Sequence, residues 1–201
     1  MADIPVFAFA GYSGSGKTTL IEKLIKVLAD GGLRVGVIKH DAHGFEIDHE
    51  GKDTWRFKRA GASVCCISGV NNTAMVKAGD ESLDEIIKGV KGCDIILVEG
   101  WKNAPTRQIG IARRENGKGF TAPVDRFCAI VTDIEDIKAD CPVFDPDDIG
   151  GLTEFIMKNM ADFTHFDDEG KARMVNVSDK PESRRTAVAA GRVFVNEATF
   201  N

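Results

Sequence analysis

The chain has 201 residues, a formal net charge of -5 and five cysteines. At about 150 residues per domain this means one domain plus a remainder, or two small ones, large enough to fold without disulfides or a structural metal. The acidic balance gives no broad basic footprint for nucleic acid or an anionic membrane, no apolar run approaches the ~18 residues of a spanning helix, and the start MADIPVFAFAG lacks a basic segment and cleavage site, so a cytoplasmic protein is expected.

The first run, residues 4–11 (IPVFAFAG), is short, almost wholly apolar and closed by glycine, the pattern of a strand buried on both faces. KTTLIEKLIKVLADGG places Leu20, Leu24, Ile25, Val27 and Leu28 along an amphipathic helix that stops at Gly31. LRVGVIKH follows as a second strand, GKDTWRFKRAGA as a second helix, SVCCISG as a third strand and TAMVKAG as a fourth. SLDEIIKGV is helical, CDIILVEG and CAIVTD are strands, and DIGGLTEFIMKNM is a closing helix with Asp148 as its N-cap. Strands alternating with helices require crossovers. The expected fold class is therefore α/β, a P-loop NTPase-type, mainly parallel sheet with helices on both faces and ligands at the C-terminal ends of the strands.

This domain spans residues 1–160, while residues 161–201 are more polar, and a piece of about 40 residues rarely folds alone. The cysteines, Cys65, Cys66, Cys93, Cys128 and Cys141, form no CxxC pair, and four of them read as small core thiols of a reducing compartment.

Gly11, Gly16, Lys17 and Thr18 in GYSGSGKTTL satisfy G-x-x-x-x-G-K-[ST] between a buried strand and an amphipathic helix, the context a P-loop requires. Glycines let the backbone close on phosphates with its N–H groups inward, and the helix N-terminus faces the same anion. Lys17 would reach the β- and γ-phosphates, and the Thr18 hydroxyl would bind Mg²⁺. Two acids compete to support the metal. Glu99 ends the apolar strand, where a Walker B carboxylate sits; Asp41 follows RVGVIKH and reads equally as a strand-end cap.

His40, His43 and His49 cluster in KHDAHGFEIDH, but without thiolates or an i, i+4 pair they read as polar contacts to phosphate or a partner rather than metal ligands. Lys52, Arg56, Lys58 and Arg59 read as a solvated helix face or a second phosphate contact, as do Arg113 and Arg114. Trp55 and Trp101 read as packing residues. Asp133, after the last strand, could accept from a purine edge, but the Asn and Lys of N-K-x-D are missing, and the residues leave the base open.

Together, GYSGSGKTTLIEKLI, RVGVIKHDAHGFEIDHEGKDTWRFKRAGA and ILVEGWK resemble the molybdopterin-guanine dinucleotide biosynthesis protein B (MobB) family over residues 4–160. The resemblance implies a homodimer that binds GTP with Mg²⁺ and hydrolyses it weakly. It also implies work beside the molybdenum cofactor guanylyltransferase, which attaches GMP to molybdopterin. By position it places Gly11, Ser13, Gly14, Ser15, Gly16, Lys17, Thr18 and Thr19 on the nucleotide, and Thr18, Asp41 and Glu99 on the metal; Lys17, Asp41 and Glu99 would serve the reaction.

The tail, THFDDEGKARMVNVSDKPESRRTAVAAGRV, resembles the start of cyclic pyranopterin monophosphate synthase (MoaC), which implies a truncated fusion with a poorly ordered end.

The function expected is a GTP-binding adapter with slow GTPase activity, since neither SGSGKTTL nor LVEG holds a water-positioning glutamine and no arginine finger can be assigned. A small-molecule kinase would need a mobile, arginine-rich lid, for which RQIGIARRENGKG is the candidate. A metal-delivery GTPase would use His40, His43 and Cys66.

Overall fold

A computed structural model describes residues 4–41, 44–101 and 103–160. The chain runs β1 (Val6–Ala10), α1 (Lys17–Asp30), β2 (Val35–Lys39), α2 (Asp53–Arg59), β3 (Val64–Ser68), β4 (Thr73–Lys77), α3 (Leu83–Gly89), β5 (Ile95–Glu99), β6 (Arg107–Ala112), β7 (Ala129–Thr132), β8 (Val143–Phe144) and α4 (Ile149–Asn159). Six strands form one sheet in the order β2-β5-β1-β6-β7-β8, and every neighbouring pair is parallel. The expected α/β architecture is present.

Strand alternation sorts β1 onto two faces. Phe7 and Phe9 join Leu20, Ile21, Leu24 and Leu28 of α1 and Leu152 and Ile156 of α4, while Val6 and Ala8 pack with Leu83 and the half-buried Ile86 and Ile87 of α3. Burying such a side chain contributes about 1.5–3 kcal/mol, so these two layers hold the sheet between helices. The buried stripe of α1 differs by one step from the sequence reading: Ile21 is inside and Val27 is exposed. Asp148 caps α4 as expected, its carboxylate accepting from the Gly151 N–H at 2.9 Å.

Three features depart from the sequence reading. First, β3 and β4 pair antiparallel as a separate hairpin instead of joining the parallel sheet. Neither these strands nor α2 contains a buried residue, because the apolar side chains of this region find no layer to cover them.

Second, Arg107–Ala112 is an interior strand between β1 and β7, so the first six residues of the proposed lid are fixed in the core. Third, the cysteines are half-buried rather than interior: Cys93, Cys128 and Cys141 pack against the core clusters, as expected of thiols in apolar surroundings, while Cys66 is exposed on the hairpin. Burial pushes the Cys128 thiol up to about 12. The expectation for residues 161–201 lies outside the described residues.

Candidate functional site

β1 ends at Ala10 and α1 begins at Lys17, so residues 11–16 form the turn at the C-terminal edge of the central strand. Gly14 and Gly16 take left-handed φ values of 80° and 81°, which an L side chain resists. Gly11 is needed for a different reason: a Cβ there would stand 2.5 Å from Ser15 Oγ and 2.7 Å from the Ile111 carbonyl oxygen.

Ser15 is 2% exposed, and its hydroxyl has no hydrogen-bond partner among the described residues. The Lys17 ammonium folds back over the loop, donating to the carbonyls of Gly11 at 2.9 Å and Tyr12 at 2.8 Å. Partial burial lowers its pKa, Glu99 works the other way, and Lys39 adds to the lowering. An arriving polyanion would relieve that burden, since a nearby negative charge favours the ammonium form.

The acidic side of the site comes from β5. Thr18 Oγ1 donates to Glu99 Oε1 at 2.8 Å across 81 positions of sequence, and the Glu99 residue is 9% exposed. Lys39, opposite Glu99 in the β2–β5 register, sets its ammonium 3.9 Å from Oε2. Mg²⁺ takes oxygen ligands and is held through one or two protein groups plus phosphates. A hydroxyl and a carboxylate joined beside a glycine loop fit that ion. Asp41 stands exposed two residues beyond Lys39, its carbonyl accepting from Gly44 at 3.3 Å. Ser13 and Thr19 are exposed at the loop and the first turn of α1.

His40 stacks on Trp101, ring centroids 4.5 Å apart, and His49 is exposed. His43 lies outside the described residues, among which no group of three or more His, Cys, Asp or Glu side chains is disposed to hold a metal ion. Trp55 carries the Arg59 guanidinium 5.2 Å from its ring centroid, and Lys58 approaches Asp48 at 3.7 Å.

A cleft of about 230 Å³ adjoins the loop, with Thr19, Lys23, Arg113, Glu115 and Pro146 in its walls. The segment after β6 is tied to the loop, Asn116 Nδ2 donating to the Ser13 carbonyl at 3.0 Å. Asp133, read from sequence as a purine acceptor, spends both oxygens locally: one accepts from the Arg114 N–H at 2.6 Å and the other lies 3.1 Å from Arg113 Nε. Arg114 also meets Glu135 at 2.8 Å. Sequence reasoning missed Lys39, whose role depends on strand register, and left Arg113 between two readings.

A glycine-lined turn at the end of a central parallel strand, with a helix-borne threonine bonded to a strand-end acid, defines a P-loop NTPase-type α/β protein. The family model for Molybdopterin guanine dinucleotide synthesis protein B matches residues 6–133, and the chain belongs to that family.

Among similar proteins is the molybdopterin-guanine dinucleotide biosynthesis adapter protein of Haemophilus influenzae, 36% identical over 157 residues, covering 76% of this chain and 88% of that protein. The crystal structure of Bacillus subtilis MobB matches with a TM-score of 0.65 and 27% identity, over 78% of this chain and 98% of that one. A separate similarity, 55% identity over 41 residues, is to the cyclic pyranopterin monophosphate synthase of Thermomicrobium roseum, covering 20% of this chain and 25% of that protein.

Proposed function

We propose that the chain is a cytoplasmic, homodimeric, GTP-binding adapter of molybdopterin guanine dinucleotide synthesis, with slow Mg²⁺-dependent hydrolysis, working beside the guanylyltransferase that acts on molybdopterin. The observation that carries the nucleotide reading is the Thr18–Glu99 hydrogen bond beside a loop whose buried Ser15 hydroxyl has no partner among the described residues. The adapter role is supported by the names of the relatives above.

In this reading the amides of residues 13–18 bind phosphate oxygens, and Lys17 exchanges its two carbonyl acceptors for the β- and γ-phosphates. Thr18, with Glu99 behind it, would hold Mg²⁺, which supplies charge neutralisation between the phosphates. Lys39 adds a second positive charge next to Glu99.

Turnover is slow because the protein contributes little beyond binding. Gln108, the one glutamine in the sequence, is buried and donates to the Ala104 carbonyl, so it cannot orient water. The kinase reading loses support because its candidate lid begins as β6.

The dimer reading is supported by Phe45, Ile47, Phe57, Val64, Ile67 and Met75, all exposed on α2, the hairpin and the segment before them. Exposed apolar side chains grouped in one region favour an interface, and a two-fold pairing would cover them with a second copy.

Calorimetric titration of GTP, ATP and molybdopterin, with and without Mg²⁺, tests the proposal. GTP is expected to bind more tightly with Mg²⁺, and Lys17→Ala to remove a charge-assisted contact of about 1.5–3 kcal/mol. Unchanged GTP affinity in that variant would overturn the site assignment.

A further inference from the structure

We infer, on the strength of that nucleotide reading, that Arg113, braced by Asp133, selects guanine over adenine in the cleft beside the phosphate loop. The cleft volume of about 230 Å³ is below the roughly 300–1,000 Å³ of sites that enclose drug-sized ligands. It therefore suits one flat ring system, with the phosphates outside it along the loop. Gly14, Ser15 and Gly16 line it on one side, which makes it continuous with the phosphate seat. Ile111 and Val131, both 1% exposed, give it an apolar floor.

Arg113 follows β6 directly and enters the wall of this cleft. Its Nε lies 3.1 Å from one oxygen of Asp133, whose other oxygen is taken by the backbone of Arg114, so Asp133 braces the guanidinium. The charge of Arg113 is also felt by Asp147. The terminal nitrogens of Arg113 donate no hydrogen bond among the described residues.

A guanidinium presents a planar fork of donors. Guanine offers two acceptors, O6 and N7, along one edge, whereas adenine sets an amino donor beside N7. The fork that satisfies guanine therefore meets a like donor on adenine. Lysine carries no planar fork, but its ammonium can still reach O6 and N7, so the pairing is abolished only when the cationic donor is removed.

The test is calorimetric titration of the full chain with GTP, ITP and ATP in the presence of Mg²⁺, as wild type, Arg113→Ala and Arg113→Lys. Inosine keeps O6 and N7 and lacks the 2-amino group. Wild type is expected to bind GTP and ITP alike and ATP at least about fivefold more weakly, the lower bound for one good bidentate base contact. Arg113→Ala is expected to bind GTP, ITP and ATP alike and Arg113→Lys to keep the GTP and ITP preference in part, with an unshifted thermal melt showing that both are folded.

A GTP preference that survives undiminished in Arg113→Ala overturns the inference and leaves the proposed function standing. ITP as weak as ATP in wild type overturns it in favour of the 2-amino group, read by Glu115. Equal binding of GTP and ATP by wild type also overturns it. Wild type that binds no nucleotide sinks the proposed function itself.

Discussion

Thr18 and Glu99 are the residues on which the metal reading turns, and each has a separable consequence. Thr18→Ala removes the hydroxyl but leaves the loop glycines and Lys17, so GTP should still bind while its affinity stops responding to added Mg²⁺. Titrations at two Mg²⁺ concentrations check this, and a retained Mg²⁺ response would count against Thr18 as the ligand.

Both residues were legible in the sequence for a physical reason. A P-loop is local, with its spacing fixed by one strand, one turn and one helix. Glu99 ends an apolar run, and acids at such strand ends face the ligand edge. Lys39 was not legible, because only the pairing of β2 with β5 brings it opposite Glu99. The same holds for Arg113, whose partner Asp133 follows a different strand.

At the scale of elements, β6 shows where pattern reading fails. It opens with Arg107 and Gln108, which look like loop residues in isolation. In the fold, the Arg107 guanidinium donates to the Asn159 carbonyl at 3.1 Å and side chain at 2.8 Å, and Gln108 donates to Ala104, so both polar groups are satisfied inside the sheet. The hairpin fails in the opposite direction. β3 and β4 have strand-forming residues, but nothing in their pattern says that they leave the parallel sheet.

Two substitutions probe the elements that did form. Gly110 in β6 lies under the Phe127 ring, and a Cβ there would stand 2.5 Å from Phe127 Cδ2. Gly110→Ala is expected to cost about 1–3 kcal/mol through overpacking. Asp148→Ala, which removes the α4 cap, should cost about 1 kcal/mol. Thermal melting resolves both, since 1 kcal/mol moves the midpoint by about 2–4 °C at this chain length. A glycine variant no less stable than wild type would mean that Phe127 yields freely.

For the whole molecule, two predictions concern how the parts stay together. Arg34 clasps Asp94 through its side chain at 2.7 Å and 3.0 Å and through its N–H at 2.8 Å, joining the starts of β2 and β5. The guanidinium hydrogen bonds and the Arg34 N–H hold the Asp94 carboxyl down to about 2 from the ordinary 3.8. A carboxyl depressed by folding contributes stability above its unfolded pKa and loses it as pH falls through the folded one. Asp94→Asn should therefore be less stable than wild type at neutral pH, and the difference should close between about pH 4 and pH 2, as read by urea denaturation. A constant gap would place the effect elsewhere. For the proposed dimer, Ile67→Asp on the exposed hairpin should shift sedimentation from dimer to monomer; an unmoved dimer would mean that another surface joins the copies, and a wild type that sediments as a monomer would overturn the dimer reading.

The position of β1 has a bearing on how the protein is made. It leaves the ribosome before the other strands of its sheet, yet both its neighbours, β5 and β6, are encoded some ninety to a hundred positions later, as the pairings Val6↔Ile96 and Phe7↔Arg107 show. During synthesis the glycine turn hangs from an unpaired strand, and the carboxylate that completes it has yet to be translated. Nascent chains halted before β5 should thus be unable to capture nucleotide, and competence should arrive late and abruptly.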